Sequence, residues 1–213
     1  MKICIFKRLA SFCTVTAVLS SFMMTTAGAA FTPDEANNAI VPTSNQIYQL
    51  KDLGVEDGVT FKLTNKQPVQ VEFPDGHMET FEYLAEDISS EMAARATSTS
   101  NRVSVSRKVD SILTGLAGTV QFTLWADATW ANRAVTITDK GLKYSSTFAD
   151  VTPESTSITV KSASGSNYAK VRTIGSIQFY YPLELGNYYE KTYDFELWLD
   201  PANSSTGYLH INA

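Results

Sequence analysis

The stretch Gly118–Trp130, GTVQFTLWADATW, constrains the fold more than any other part of the chain. Val120, Phe122, Leu124, Ala126, Ala128 and Trp130 share one face, while Thr119, Gln121, Thr123, Trp125, Asp127 and Thr129 share the other. A two-residue period sends successive side chains to opposite sides of an extended backbone, so this is a strand with one face in a core. Asn132-Arg133 breaks the alternation, and Ala134–Thr138 resumes it with Val135 and Ile137 on one side. That pattern is a hairpin. Two strands cannot bury such a face alone, so the rest of the chain has to supply the cover.

Further strands follow on both sides. Val59, Phe61 and Leu63 alternate with polar residues, as do Val69, Val71 and Phe73, and then Phe81 and Tyr83. Turn chemistry separates them at Thr64–Gln67 and at Pro74-Asp75-Gly76-His77, which predicts a small meander with one apolar face. Asp87–Asn101 is small and polar, with a helix-favouring centre at Glu91–Ala96, and reads as a short helix or a linker. Val103–Lys108 is a strand, as are the segments around Leu142 and Tyr144 and around Ile158 and Val160. Pro153-Glu154-Ser155 reads as a loop. Tyr168–Ile174 and Ile177–Leu185 are two strand segments, the second broken or placed at an edge by Pro182. Tyr193, Phe195, Leu197 and Leu199 alternate with Asp194, Glu196, Trp198 and Asp200, and Tyr208–Asn212 closes the chain. Short strands at regular spacing with turns between them predict an all-β protein, an antiparallel β-sandwich. The expected division is a leader over 1–29, an extended segment with the β-meander and linker over 30–101, and the β-sandwich over 102–213.

The leader follows from MKICIFKRLASFCTVTAVLSSFMMTTAGAA. Lys2, Lys7 and Arg8 form a basic head, an apolar core follows, and Ala27-Gly28-Ala29 is a small-residue cleavage site, the pattern of a secretory signal peptide cut near Ala29 or Ala30. Both cysteines, Cys4 and Cys13, leave with it, so the mature protein is expected to be disulfide-free and stabilised by its core. The whole chain carries 17 Lys+Arg against 22 Asp+Glu, and losing the basic head makes the remainder more acidic still. That balance speaks against nucleic acid and anionic membranes as partners, because phosphate binding needs clustered cations. A soluble, secreted protein of bacterial origin is expected, with no membrane association after cleavage.

Val71-Glu72-Phe73-Pro74-Asp75-Gly76 and the aromatic hairpin Trp125–Val135 carry a resemblance. With the exported leader, they make the chain similar to small, uncharacterised secreted all-β proteins of Gram-positive bacteria. The resemblance implies a fold class and carries no catalytic residue across.

Little in the sequence points to catalysis. His77 sits in a turn and reads as solvated, and His210 alternates with Leu209 and Ile211 and reads as an exposed strand residue. Without a cysteine or a histidine pair in the mature chain, no metal site and no cofactor is expected. No serine lies in a Gly-x-Ser-x-Gly elbow. Asp194 and Glu196 share a strand face at roughly 7 Å spacing, the separation of carboxyls in an inverting glycosidase. A small secreted glycan hydrolase is therefore the alternative function, set against the simpler reading of a solvated acidic face. Trp125 stands beside Thr123 and Asp127 on a polar face, and Trp198 stands between Glu196 and Asp200 on another. Flat apolar rings among hydrogen-bonding groups grip sugars or peptides. The expected function is thus a secreted, non-enzymatic β-sandwich binding a glycan or a secreted or surface protein through an aromatic face. Its expected ligand-binding residues are Trp125, Asp127, Glu196 and Trp198. The competing reading has the N-terminal meander covering both tryptophans.

Overall fold

The computed structural model describes residues 38–43, 46–49, 58–73, 77–88, 98–110, 119–147, 149–180 and 188–212. The leader with both cysteines, the helix-favouring centre Glu91–Ala96, the Pro74–Gly76 part of the turn and Pro182 lie outside these residues.

The described residues form two sheets. The first contains β1 (Ile47–Gln49), β3 (Pro68–Glu72), β4 (Met78–Asp87), β5 (Thr99–Asp110), β6 (Thr119–Ala131), β7 (Ala134–Thr147) and β9 (Ser162–Ser164), hydrogen-bonded in that order. Its pairs are antiparallel except β1 with β3, which is parallel. The second sheet has five antiparallel strands in the order β2 (Val59–Thr64), β12 (Thr206–Ile211), β11 (Tyr188–Leu199), β10 (Ala169–Tyr180) and β8 (Ala149–Val160). The all-β sandwich expected from the alternation is the fold of the chain.

The alternation of β6 sets the core. Val120, Phe122, Leu124 and Ala126 are fully buried, and the residues between them point outward. Val103, Val105 and Val109 extend the apolar layer on β5, and Phe61, Phe195, Leu197 and Leu209 face it from the other sheet. Phe122 meets Tyr193 across the gap with ring centroids 4.5 Å apart. At one end Trp130 donates its indole N–H to the Asp200 carbonyl at 2.8 Å, and Tyr83 donates to the Ser204 carbonyl at 2.7 Å. These two bonds fasten the sheets together through the loop before β12.

Three sequence expectations change. The Val59–Tyr83 meander is divided: β3 pairs with β4 in one sheet, while β2 joins the edge of the other beside β12. Val59, Phe61 and Leu63 therefore line the core from one side, and Val69 and Val71 line it from the other. Splitting the meander lets both of its apolar faces enter one core. Pro153-Glu154-Ser155 lies within β8, not in a loop. β8 is an edge strand whose register slips opposite Ile174/Gly175, and an edge tolerates a residue without an N–H. Tyr168–Ile174 and the start of the next segment are one strand, β10, continuous through Gly175. A Cβ at Gly175 would stand 2.3 Å from the Tyr193 hydroxyl, so glycine makes room for that ring on the sheet.

Candidate functional site

Trp125 projects from the outward side of β6, opposite Ser104 on β5 and Gly141 on β7. A Cβ at Gly141 would fall 2.6 Å from the indole, so only glycine lets the ring lie against the β7 backbone. The Arg102 guanidinium carbon stands 4.4 Å from the ring centroid. The same guanidinium forks onto Asp127, with Nε donating to Oδ1 at 2.6 Å and Nη2 to Oδ2 at 2.7 Å. A bidentate pair of this kind fixes direction as well as distance. The hydrogen bonds that Arg102 donates to Asp127 outweigh the cost of desolvation and, with the charges of Asp127, Asp139 and Glu86, hold Arg102 above its ordinary pKa. Trp125 is half-buried and held by neighbours on two strands. Beside it a groove of about 270 Å³ runs over Gln121, Thr123, Lys143, Tyr144 and Ser145. Thr123 and Lys143 are register partners on that face, while Tyr144, paired with Phe122, belongs to the other side of the sheet.

Trp198 and Glu196 are elsewhere. They lie on the outward side of β11, in the other sheet, so the four residues expected to form one aromatic face are divided between the two sheets. Trp198 is 1% exposed. Its indole N–H donates to Glu196 Oε2 at 2.7 Å, the Lys170 ammonium lies 4.0 Å from its centroid, and the His210 ring stacks on it at 5.1 Å. His210 is half-buried, bonded to Thr60 Oγ1 at 2.9 Å and to Asn212 Oδ1 at 3.1 Å, and is not the freely exposed residue expected. The N-terminal strands do not cover the tryptophans as a unit either, because β3 and β4 share the sheet of Trp125 and β2 shares that of Trp198. Trp198 is thus a packed residue, and Trp125 remains as the surface aromatic.

The two strand carboxylates are both engaged. Arg172 donates to Asp194 through Nε at 2.8 Å and through Nη2, while Glu196 accepts from Trp198. Partial burial pushes the Asp194 carboxyl up, but hydrogen bonds from Arg172 and Asn212 and the charges of Arg172 and His210 outweigh it and hold the pKa below its ordinary value. A glycosidase acid requires the opposite displacement.

A polar group that the sequence reading did not find closes the opposite end of the core from Trp130. His77 is 3% exposed, not solvated. It bonds Glu79 Oε1 through Nε2 at 2.8 Å and stacks on Phe73 at 4.3 Å. Glu79 is fully buried and takes two bonds from Arg107, Nε to Oε2 at 2.5 Å and Nη2 to Oε1 at 2.8 Å. Lys191 reaches in from the facing sheet, 3.1 Å from Glu79 Oε1 and in contact with the His77 ring. His77 thus stands between the Glu79 carboxylate and the Lys191 ammonium, in contact with both. Burial pushes Glu79 up, yet the Arg107 charge, hydrogen bonds from His77 and Arg107, and the Lys191 charge bring it down to about 2. The signal was in the alternation. Glu79 is in step with Phe81 and Tyr83, Arg107 with Val105 and Val109, and Lys191 with Tyr193 and Phe195. Three charges on apolar faces have to meet one another. Among the described residues no group of three or more His, Cys, Asp or Glu side chains is placed to hold a metal ion.

Fold and surface together define a two-sheet β-sandwich with a fixed tryptophan–arginine stack on one outer face. No protein family, no curated protein and no solved structure matches the chain.

Proposed function

We propose that the chain is an exported, non-enzymatic bacterial binding module that holds a glycan on the outer face of the seven-stranded sheet, centred on Trp125. The observation that carries this reading is Trp125 itself, half-buried and immobilised by Gly141 and by the Arg102–Asp127 pair beside a groove of hydroxyl, amide and ammonium groups. A pre-ordered aromatic loses little freedom on binding, and the groups along the groove match the hydroxyls of a sugar chain. Lys143, opposite Thr123 on the same outward face, offers an ammonium group to the groove. The hydrolase alternative draws no support from Asp194, whose carboxyl is held ionised by Arg172. Export rests on the basic head, apolar core and Ala27-Gly28-Ala29 of the leader.

The test is retention on immobilised polysaccharides, with Trp125→Ala alongside the unmodified protein. Retention on at least one glycan, weakened tenfold or more by Trp125→Ala without a change in melting temperature beyond a few degrees, supports the reading. Equal retention of Trp125→Ala and the unmodified protein refutes it.

A further inference from the structure

The tip of the β6–β7 hairpin carries an unusual residue. Asn132 and Arg133 have φ of 52° and 58°, both in the left-handed region. Two such residues make the tight turn that matches the twist of a hairpin, and the second position strongly favours glycine. Arginine there strains the backbone in a way glycine would not. A non-glycine residue held at a strained turn position directs attention to its surroundings.

The surroundings say what the use is. Arg133 lines a pocket of about 280 Å³ together with Thr99, Trp130, Asn132, Asn203 and Ser204. The loop Pro201–Ser204 forms the far wall and is braced from within: Asn203 Oδ1 accepts from the Ser205 amide at 2.9 Å, and its Nδ2 donates to Thr206 Oγ1 at 3.2 Å. Trp130 is fixed by its bond to the Asp200 carbonyl. Among the described residues, the side chains of Arg133, Asn132 and Thr99 make no hydrogen bond or ion pair within the protein. The lining holds one cation and no carboxylate.

We infer that this pocket binds a carboxylate-bearing sugar of monosaccharide size, such as a uronic acid residue. The planar fork of Arg133 takes the carboxylate through two parallel N–H bonds, which a guanidinium does better than an ammonium. Asn132, Thr99 and Ser204 meet ring hydroxyls, and the edge of Trp130 forms an apolar base. The volume is at the small end for ligand pockets and matches one sugar unit. The pocket is five residues along β6 from Trp125, roughly 17 Å, so it is a separate site and does not rest on the glycan surface proposed above.

The experiment follows the Trp130 indole and Arg133 Nε signals in nitrogen–proton spectra during titration with sodium glucuronate, glucose and N-acetylglutamate. Glucuronate is expected to shift both signals and to bind at least tenfold more tightly than either other compound. Arg133→Gly relieves the turn, so its melting temperature stays equal or rises while glucuronate affinity falls tenfold or more. Arg133→Lys keeps the charge and loses the fork, and its affinity falls between the two. Trp125→Ala leaves glucuronate binding unchanged. Glucose binding as well as glucuronate, or Arg133→Gly binding like the unmodified protein, overturns the assignment. N-acetylglutamate binding as well as glucuronate overturns the sugar and gives the pocket to acidic peptide side chains.

Discussion

Acidification should unload the buried end of the core in a defined window. Glu79 titrates near 4.5 when unperturbed and at about 2 in the folded protein. As pH falls through about 4.5 the unfolded chain takes up a proton that the folded chain refuses, so unfolding becomes easier. Below about 2 both states hold the proton and the effect is exhausted. The contribution is therefore complete above about 4.5 and is lost as pH falls to about 2. At 1.36 kcal/mol for each pH step, the interval corresponds to about 3 kcal/mol. Glu79→Gln isolates it, because the variant keeps His77, Arg107 and Lys191 and loses only the charge they surround. At neutral pH the variant should be less stable by about 3–5 kcal/mol, the cost of leaving buried cations without their partner. Urea unfolding followed by circular dichroism, repeated from pH 7 to pH 2, reads both chains. The stability gap between them should be flat from pH 7 to 5 and then narrow by about 3 kcal/mol towards pH 2. A gap that stays constant over the whole range would refute the ionised carboxylate.

Leu124→Ala should cost about 2–5 kcal/mol in urea unfolding, since Leu124 is fully buried between the sheets, while Thr123→Ala on the outward side should cost under about 1 kcal/mol. Gly141→Val should push the Trp125 ring off the β7 backbone, with a stability loss of about 1–2 kcal/mol and a loss of glycan retention matching that of Trp125→Ala. Sequencing the amino terminus of protein recovered from the culture medium should begin near Ala30 or Phe31, and a start at Met1 would remove the signal peptide from the account.

Local period and long-range pairing differ in how far the sequence displays them. The face assignment of β6 was legible because six inward residues alternate without a gap, and the same rule placed Tyr193, Phe195, Leu197 and Leu199 in the core. The partner of β2 was not legible, because β2 pairs with β12 at the far end of the chain and nothing local to Val59–Thr64 specifies that neighbour. Pro153 was misread because proline rules out a central strand and not an edge one. The aromatic surface was half legible. Trp125 and Trp198 were both placed correctly on outward faces, but sequence period does not say which sheet a strand joins, and the two faces turned out to belong to different sheets. Nor does it show that Lys170 and His210 stack over Trp198. His77 was misjudged from its turn, although Glu79 two residues on is in step with Phe81 and marks the inward side.

The binding surface itself is tested most directly by the indole signals of the tryptophans. In nitrogen–proton spectra of the unmodified protein titrated with chitotetraose, cellotetraose and xylotetraose, the Trp125 indole and the Thr123 and Lys143 amides should shift together with one of the three sugars. The Trp198 indole, tied to Glu196 and packed under Lys170 and His210, should not move. Shifts centred on Trp198, or a Trp125 signal unmoved by every oligosaccharide, would contradict the account.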